Sequence, residues 1–167
     1  MYSWITTPLG PMAAQEKNGA LVGLWFEGQK HFGLTPDTEG ETPALLMARR
    51  WVAAYFAGEA LPKMPPVDPQ GTAFQKRVWA ALGEIPYGQT VTYGDLAKRL
   101  SSSPRAVGSA VGRNPISLIL PCHRVVGAGG QLTGYAGGLD RKTALLEMES
   151  EQKPRRTPGD GCPCKGR

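Results

Sequence analysis

The sequence predicts an α+β protein with two lobes: a small N-terminal antiparallel sheet with one helix, then a mainly helical lobe containing a helix-turn-helix. Short apolar stretches separated by turn residues fill the first 35 positions, whereas helical periodicity dominates after residue 42. Four prolines between residues 61 and 71 fit neither pattern, so we place the lobe boundary near residue 70. The expected units are residues 1–70, residues 71–150 and a flexible basic tail at 151–167.

The first lobe is expected to pack a sheet against its helix. Residues 4–5 and 21–26 have the composition of strands, and turn-rich residues 8–11 and 18–19 separate them. A helix should begin after Thr42 and end at Gly58. Its apolar side chains recur at helical spacing: Leu45, Ala48, Val52, Tyr55 and Phe56.

The second lobe is expected to contain three consecutive helices. Thr72 is a suitable N-cap for the first, whose apolar residues continue to Ile85 before Pro86 ends it. The second helix starts after Thr92, and a short turn at residues 101–104 leads into the third. This is the outline of a helix-turn-helix, although the same outline occurs in proteins that bind no DNA.

The third helix has two unlike faces. Steps of 100° put one set of residues on the inner side, Val107, Ala110 and Val111, and another on the outer side, Arg105, Gly108, Ser109 and Gly112. Each helical glycine costs roughly 1 kcal/mol relative to alanine, so this face indicates that something approaches the backbone of the helix closely. A neighbouring helix of the same protein could do so, but Arg105 beside such small residues favours DNA.

Composition limits the class of protein. The net charge of +5 and the pI near 9.3 favour a polyanionic partner, but part of the excess lies in the last residues, which we interpret as solvated. No apolar run is long enough for a bilayer and residues 1–10 do not resemble a signal peptide, so an unprocessed cytoplasmic protein is expected. Cys162 and Cys164 are interpreted as incidental thiols, and Cys122 as a free thiol.

Cys122 follows a mainly apolar stretch, residues 116–121, and precedes His123 and Arg124. A Cys–His pair of this kind is commonly a small buried side chain beside a satisfied histidine. The functional alternative is a nucleophile whose thiol pKa is lowered by an imidazole with a carboxylate behind it. Adjacent side chains diverge in a strand, so the second interpretation requires a bend or a bridging water.

Glu149 is the candidate carboxylate. It lies in a last helix, capped by Asp140, on the same side as Leu145 and Met148, whereas Glu147 points to solvent. A single glutamate near a helix end is usually a surface residue, so the pairing of Glu149 with His123 is a hypothesis.

Residues 121–126, Pro-Cys-His-Arg-Val-Val, resemble the active-site signature of the O6-alkylguanine-DNA alkyltransferases. Residues 105–108 (Arg-Ala-Val-Gly), 114–115 (Asn-Pro) and 133–139 (Thr-Gly-Tyr-Ala-Gly-Gly-Leu) resemble the same family in order and spacing. The resemblance is strong over residues 72–149 and holds only in outline over the first 60. It implies a sheet-and-helix lobe followed by a helical DNA-binding lobe that holds the cysteine.

The resemblance also implies catalytic roles. Cys122 would accept the alkyl group, while Glu149, His123 and a bound water would form the relay that yields its thiolate. Asn114 would brace the turn that carries the active site. Tyr93 would help turn the damaged nucleotide and donate a proton to the departing guanine oxygen.

In the same family, the third helix enters the minor groove and the damaged nucleotide rotates out of the duplex. Arg105 would fill the vacated place in the stack, and the implied DNA contacts are Tyr93, Arg105, Ala106, Gly108, Ser109 and Gly112. Carbonyls of Cys122 and Val125 would accept from the guanine amino group. Tyr135 and Ala136 would cover the base, and because some relatives carry Ser where this chain has Ala136, tolerance for bulky alkyl groups would differ.

The expected partner is double-stranded DNA that contains O6-alkylguanine. The protein is expected to bind it as a monomer, and no membrane partner is expected. No cofactor is expected, and no zinc in the first lobe, since His31 is the only Cys or His in residues 1–71. A thioether at Cys122 resists displacement, so each molecule should act once. A lesion sensor, a cysteine hydrolase and a plain helix-turn-helix regulator are the alternatives, while O4-alkylthymine as substrate and cooperative DNA binding stay open.

Overall fold

The computed structural model describes residues 1–152. The α+β class is confirmed. The elements in chain order are β1 (Tyr2–Ile5), β2 (Met12–Lys17), β3 (Ala20–Phe26), α1 (Pro43–Ala57), α2 (Ala73–Leu82), β4 (Val91–Thr92), α3 (Tyr93–Arg99), α4 (Pro104–Gly112), β5 (Val125–Val126) and α5 (Leu139–Glu151). We keep the division near residue 70 as a proposal, because one cluster of buried side chains runs from Ile5 to Leu145 through both halves.

The first sheet is antiparallel, with β2 between β1 and β3. The turn between β2 and β3 places Asn18 and Gly19 at positive φ, 52° and 84°, conformations that asparagine and glycine tolerate better than other residues. The sequence did not single out β2. Residues 12–15 are all buried, so this central strand lacks the alternation of apolar and polar residues that marks a strand with one solvent face.

Helix α1 packs on all three strands, and its bounds match the sequence prediction. The Thr42 hydroxyl accepts a hydrogen bond from the Leu45 amide, and Pro43 occupies the first turn, where no amide donor is required. Gly58 ends the helix in a left-handed conformation (φ 69°). The buried Tyr55 near this end points toward the second half of the chain.

Helices α2 and α3 begin after the predicted Thr72 and Thr92, whereas α4 begins at Pro104, the last residue of the predicted turn. Thr72, Thr92 and Ser103 each cap a helix through a side-chain oxygen that accepts from a backbone amide three residues on. Helix α2 ends at Leu82, earlier than predicted, and the buried Ile85 lies beyond it in a turn. Helix α4 packs against α2 and α3, and the buried Trp79 indole donates to its Ala110 carbonyl at 2.8 Å.

The predicted cap of the last helix is wrong. Gly138, with φ 94°, takes the cap position of α5, and Asp140 lies in the first turn instead. The sharp turn before the helix requires a backbone conformation that favours glycine, so no side chain caps this end. Helix α5 ends at Glu151, one residue into the predicted tail, and residues 153–167, with Cys162 and Cys164, lie outside the described residues.

Two sets of contacts position the segment that carries Cys122. Leu24 of β3 exchanges backbone hydrogen bonds with the segment, donating to Pro115 and accepting from Ser117. Further along, β5 pairs in parallel with β4, Val91 opposite Val125. Within residues 1–152, the chain forms no helix with the length and apolar character that crossing a bilayer requires.

Candidate active site

Cys122 begins a single 3-10 turn, Cys122–Arg124, and is buried. The turn provides the bend that a strand would not, so the side chains of Cys122 and His123 need not diverge. Asn114 holds the preceding segment: its amide donates to the Leu120 carbonyl at 2.7 Å, and its carbonyl accepts from the Ile116 amide at 3.0 Å. Burial raises the pKa of the Cys122 thiol, and the opposing effects of Asn114 and the Lys142 ammonium are smaller, so the thiol pKa is raised rather than lowered as the sequence suggested.

His123 and Glu149 form a fully enclosed pair, with Nε2 of His123 2.6 Å from Oε2 of Glu149. Because a carboxylate only accepts, this contact assigns the hydrogen to Nε2 and leaves the lone pair on Nδ1. Among residues 1–152, Nδ1 of His123 has no hydrogen-bond partner. Burial lowers the pKa of His123 and Glu149 opposes that effect, which suits a neutral base that can take up a proton.

Glu149 is held by three side chains. Besides His123, Arg124 binds it in a bidentate manner, from Nε to Oε1 at 2.8 Å and from Nη2 to Oε2 at 3.0 Å, and the Tyr55 hydroxyl donates to Oε2 at 2.5 Å. The Gly88 amide also donates to Oε1, at 3.3 Å. Burial raises the pKa of Glu149, but the hydrogen bonds from His123 and Arg124 lower it to about 2. The group is therefore an anion at neutral pH, whereas Glu147 is exposed.

Lys142 is completely buried, an unusual state for a lysine. Its ammonium donates to the carbonyls of Val125 at 2.6 Å, Thr133 at 3.0 Å and Gly134 at 3.4 Å. No carboxylate of the described chain forms an ion pair with it. Burial lowers the pKa of Lys142 and Cys122 raises it, and the ammonium is held at Val125, three residues after Cys122.

The segment around Tyr135 lies against both halves of the chain. The Tyr93 hydroxyl donates to the Thr133 carbonyl at 3.1 Å, and the Ala136 carbonyl accepts from the Lys30 amide at 2.8 Å. Burial raises the pKa of the Tyr135 phenol, and negative charge on Cys122 raises it further. The two hydrogen bonds link this loop to Tyr93 at Thr133 and to the first half of the chain at Ala136.

The outer face of α4 is open. Arg105 and Ser109 are exposed, and Ala106, Gly108 and Gly112 are partly so. A Cβ added at Gly112 would meet no atom within 4 Å, and one at Gly108 would contact the Tyr93 ring at an ordinary 3.7 Å. Packing within the described chain therefore does not require these glycines, which removes the reason to expect a neighbouring helix on this face.

Residues 73–151 match the family model of the 6-O-methylguanine DNA methyltransferase DNA-binding domain. A methylated-DNA–protein-cysteine methyltransferase of Methanosarcina mazei is 57% identical over 89% of this chain and 96% of the relative. Another, of Methanosarcina acetivorans, is 46% identical over 89% of this chain and 97% of that protein. The chain belongs to this methyltransferase family. The resemblance inferred from residues 121–126 is thereby confirmed.

Solved structures agree with this family assignment. The crystal structure of Mycobacterium tuberculosis OGT in complex with DNA superposes with a TM-score of 0.81 at 42% identity, covering 92% of this chain and 94% of that one. Within residues 1–152, no group of three or more His, Cys, Asp or Glu side chains is arranged to hold a metal ion.

Three residues of this family member were not assigned a role by the sequence: Tyr55, Arg124 and Lys142. Arg124 lies inside the signature, so its position next to His123 was a usable signal. Lys142 precedes Glu149 by seven residues, two turns of the same helix, so a helical projection places both on one face. Tyr55 lies 94 positions from Glu149, and no local pattern reveals that contact.

Proposed function

We propose that the chain repairs DNA by transferring an alkyl group from O6 of a modified guanine in duplex DNA to the sulfur of Cys122. The observation that carries this proposal is the buried His123–Glu149 pair beside Cys122, with a free lone pair on Nδ1. Family membership supports the reaction class, because the relatives are named methylated-DNA–protein-cysteine methyltransferases.

The thiol would be activated by proton transfer. The proton of Cys122 passes through a bridging water to Nδ1 of His123, and the anionic Glu149 stabilises the imidazolium that results. Lys142 stabilises the thiolate, since its charge lowers the pKa of Cys122. Asn114 acts on geometry by holding the carbonyl of Leu120, two residues before the cysteine.

In the transfer step, the thiolate attacks the alkyl carbon, a sulfur–carbon bond forms and the carbon–oxygen bond to guanine breaks. The guanine oxygen keeps the electron pair and takes a proton from Tyr93, whose hydroxyl must then leave the Thr133 carbonyl. The product is a thioether, which water does not displace. Each molecule therefore reacts once, and the transfer requires no cofactor.

Access to the base would require the nucleotide to leave the helix stack. Helix α4 enters the minor groove with its glycine-bearing face, and Arg105 occupies the gap in the stack. The carbonyls of Cys122 and Val125 accept from the guanine amino group. Val125 already accepts from Lys142, but a carbonyl oxygen has a second lone pair. The segment at Tyr135 and Ala136 covers the base, and the protein acts as a monomer on DNA.

The decisive experiment is stoichiometric. The protein is incubated with duplex DNA containing O6-methylguanine, and intact mass and peptide mapping locate the gain of one methyl group. We expect one methyl group per protein, on Cys122, with none from unmodified duplex and none in the Cys122→Ser variant. Tight binding without modification would indicate a lesion sensor, and several products per protein would indicate a hydrolase; either result contradicts the proposal.

A further inference from the structure

Arg141 joins distant parts of the chain. It lies in the first turn of α5, and its guanidinium donates to the carbonyls of Leu9 at 3.0 Å, Gly137 at 3.1 Å and Glu27 at 3.5 Å. Leu9 lies between β1 and β2 and Glu27 directly after β3, whereas Gly137 follows the segment proposed to cover the base. One side chain therefore connects the sheet of the first lobe to that segment.

The site is shaped for a guanidinium. Its central carbon lies 4.7 Å from the centroid of the Phe26 ring, which favours a cation over the ring face. Gly10 has φ 111°, and a Cβ there would lie 3.1 Å from Nη2 of Arg141, so glycine leaves room for the close approach. No carboxylate within residues 1–152 pairs with Arg141. The planar guanidinium of Arg141 donates to several carbonyls in fixed directions, and a lysine ammonium cannot reproduce that geometry.

The first lobe also contacts directly the segment proposed to cover the base, Tyr135 and Ala136. The Lys30 amide donates to the Ala136 carbonyl at 2.8 Å. The buried Gln29 fixes this turn by accepting from the Phe26 amide at 2.7 Å. A Cβ at Gly137 would lie 3.4 Å from the Phe26 ring, so this end of the segment packs against the first lobe.

We propose that Arg141 is a positioning residue that sets which alkyl groups reach Cys122, by holding Ala136 and Gly137 against the first lobe. The inference rests on the proposed function, in which Tyr135 and Ala136 cover the base; at that position they also form a wall beside its alkyl group. A fixed wall admits a methyl group and resists a larger one, because packed protein resists displacement. Loosening the wall relaxes this discrimination, and it slows methyl transfer because Tyr135 and Ala136 then cover the base less firmly.

The test compares two substrates in Arg141→Lys and Arg141→Gln. Second-order rate constants for transfer are measured on duplexes of one sequence that carry either O6-methylguanine or O6-benzylguanine. We expect the ratio of the methyl to the benzyl rate constant to fall about tenfold in both variants, within the range of pocket discrimination. Arg49→Lys is the matched control, since Arg49 lies on α1 and its side chain forms a solvent-accessible ion pair with Glu41, and its ratio should not change.

Thermal melting of each variant separates positioning from stability, and rates are measured well below every melting temperature. An unchanged ratio of the two rate constants, whether both fall equally or neither falls, would overturn the role of Arg141 in selectivity. Failure of Arg141→Lys to fold would overturn it as well, because it would assign Arg141 to stability. If the unaltered protein transfers neither group, the proposed function itself fails, an outcome distinct from any result with the variants.

Discussion

Around Glu149, three side chains and one backbone amide donate to a single carboxylate, whereas a Cβ added at Gly112 on α4 would meet no atom within 4 Å. The first region satisfies the Glu149 carboxylate inside the protein. The outer face of α4 at Gly112, in contrast, is not packed against other parts of the described chain. A substitution at Glu149 should therefore change both stability and transfer, while one on the outer face of α4 should change DNA binding and leave the fold intact or more stable.

The largest effect is expected for Glu149→Gln. The amide cannot stabilise a His123 imidazolium as a carboxylate does, so the transfer rate should fall by about 100- to 10,000-fold. It also leaves the buried Arg124 without its anion, which should lower the free energy of unfolding by roughly 3–5 kcal/mol. Single-turnover kinetics and urea unfolding measure the two losses. Glu147→Gln, on the exposed side of the same helix, is the control and should show neither.

The same cluster predicts how stability depends on acid. The folded-state pKa of Glu149 is about 2, below its ordinary value of 4.5, so its contribution is present above pH 4.5 and is lost as pH falls toward 2. A tenfold change in an acid dissociation constant corresponds to about 1.4 kcal/mol. Urea unfolding at a series of pH values should therefore show a steeper acid loss in the unaltered protein than in Glu149→Gln. Parallel curves would show that another carboxyl group dominates the acid response.

Lys142→Met tests the electrostatic part of the site, because the charge of Lys142 lowers the pKa of both Cys122 and His123. Because the ammonium lowers the pKa of Cys122, its removal should raise that pKa and slow the reaction of the thiol near neutral pH. The pH dependence of alkylation by iodoacetamide measures the change directly. An unmoved profile would restrict Lys142 to holding the carbonyls of Thr133 and Gly134.

The contrast between the regions also explains what the sequence could predict. Helix starts at Thr42, Thr72 and Thr92 were correct because a cap depends on residues three positions apart. The strand β2 was missed because a strand buried on both faces has no alternation, and the Asp140 cap failed because the turn required a glycine. The open face of α4 was visible in sequence since it depends on one helical period.

The cluster around Glu149 was only partly predictable. The signature at residues 121–126 indicated Cys122 and His123, and helical spacing indicated that Glu149 faces inward. Tyr55 belongs to the first lobe and reaches the carboxylate through tertiary packing, which leaves no mark on local sequence. A polar network assembled from distant elements is thus the part of a site that requires a structure.

The smallest effect on stability, and the sharpest test of the comparison, is expected for Gly108→Ala on α4. Alanine fits, since its Cβ would make an ordinary contact of 3.7 Å with the Tyr93 ring, and replacing a glycine inside a helix should stabilise the fold by roughly 0.5–1 kcal/mol. If DNA approaches this face closely, the added methyl group should weaken binding to duplex at the same time, as measured by fluorescence anisotropy. Gly83→Ala, at a right-handed position (φ −62°) at the end of α2, is the control: it should leave DNA affinity unchanged. A stabilised Gly108→Ala protein with undiminished DNA affinity would mean that DNA does not approach α4 at this glycine. The same measurement on Gly112→Ala, where a Cβ has open space, would show whether DNA is equally distant from the rest of the face.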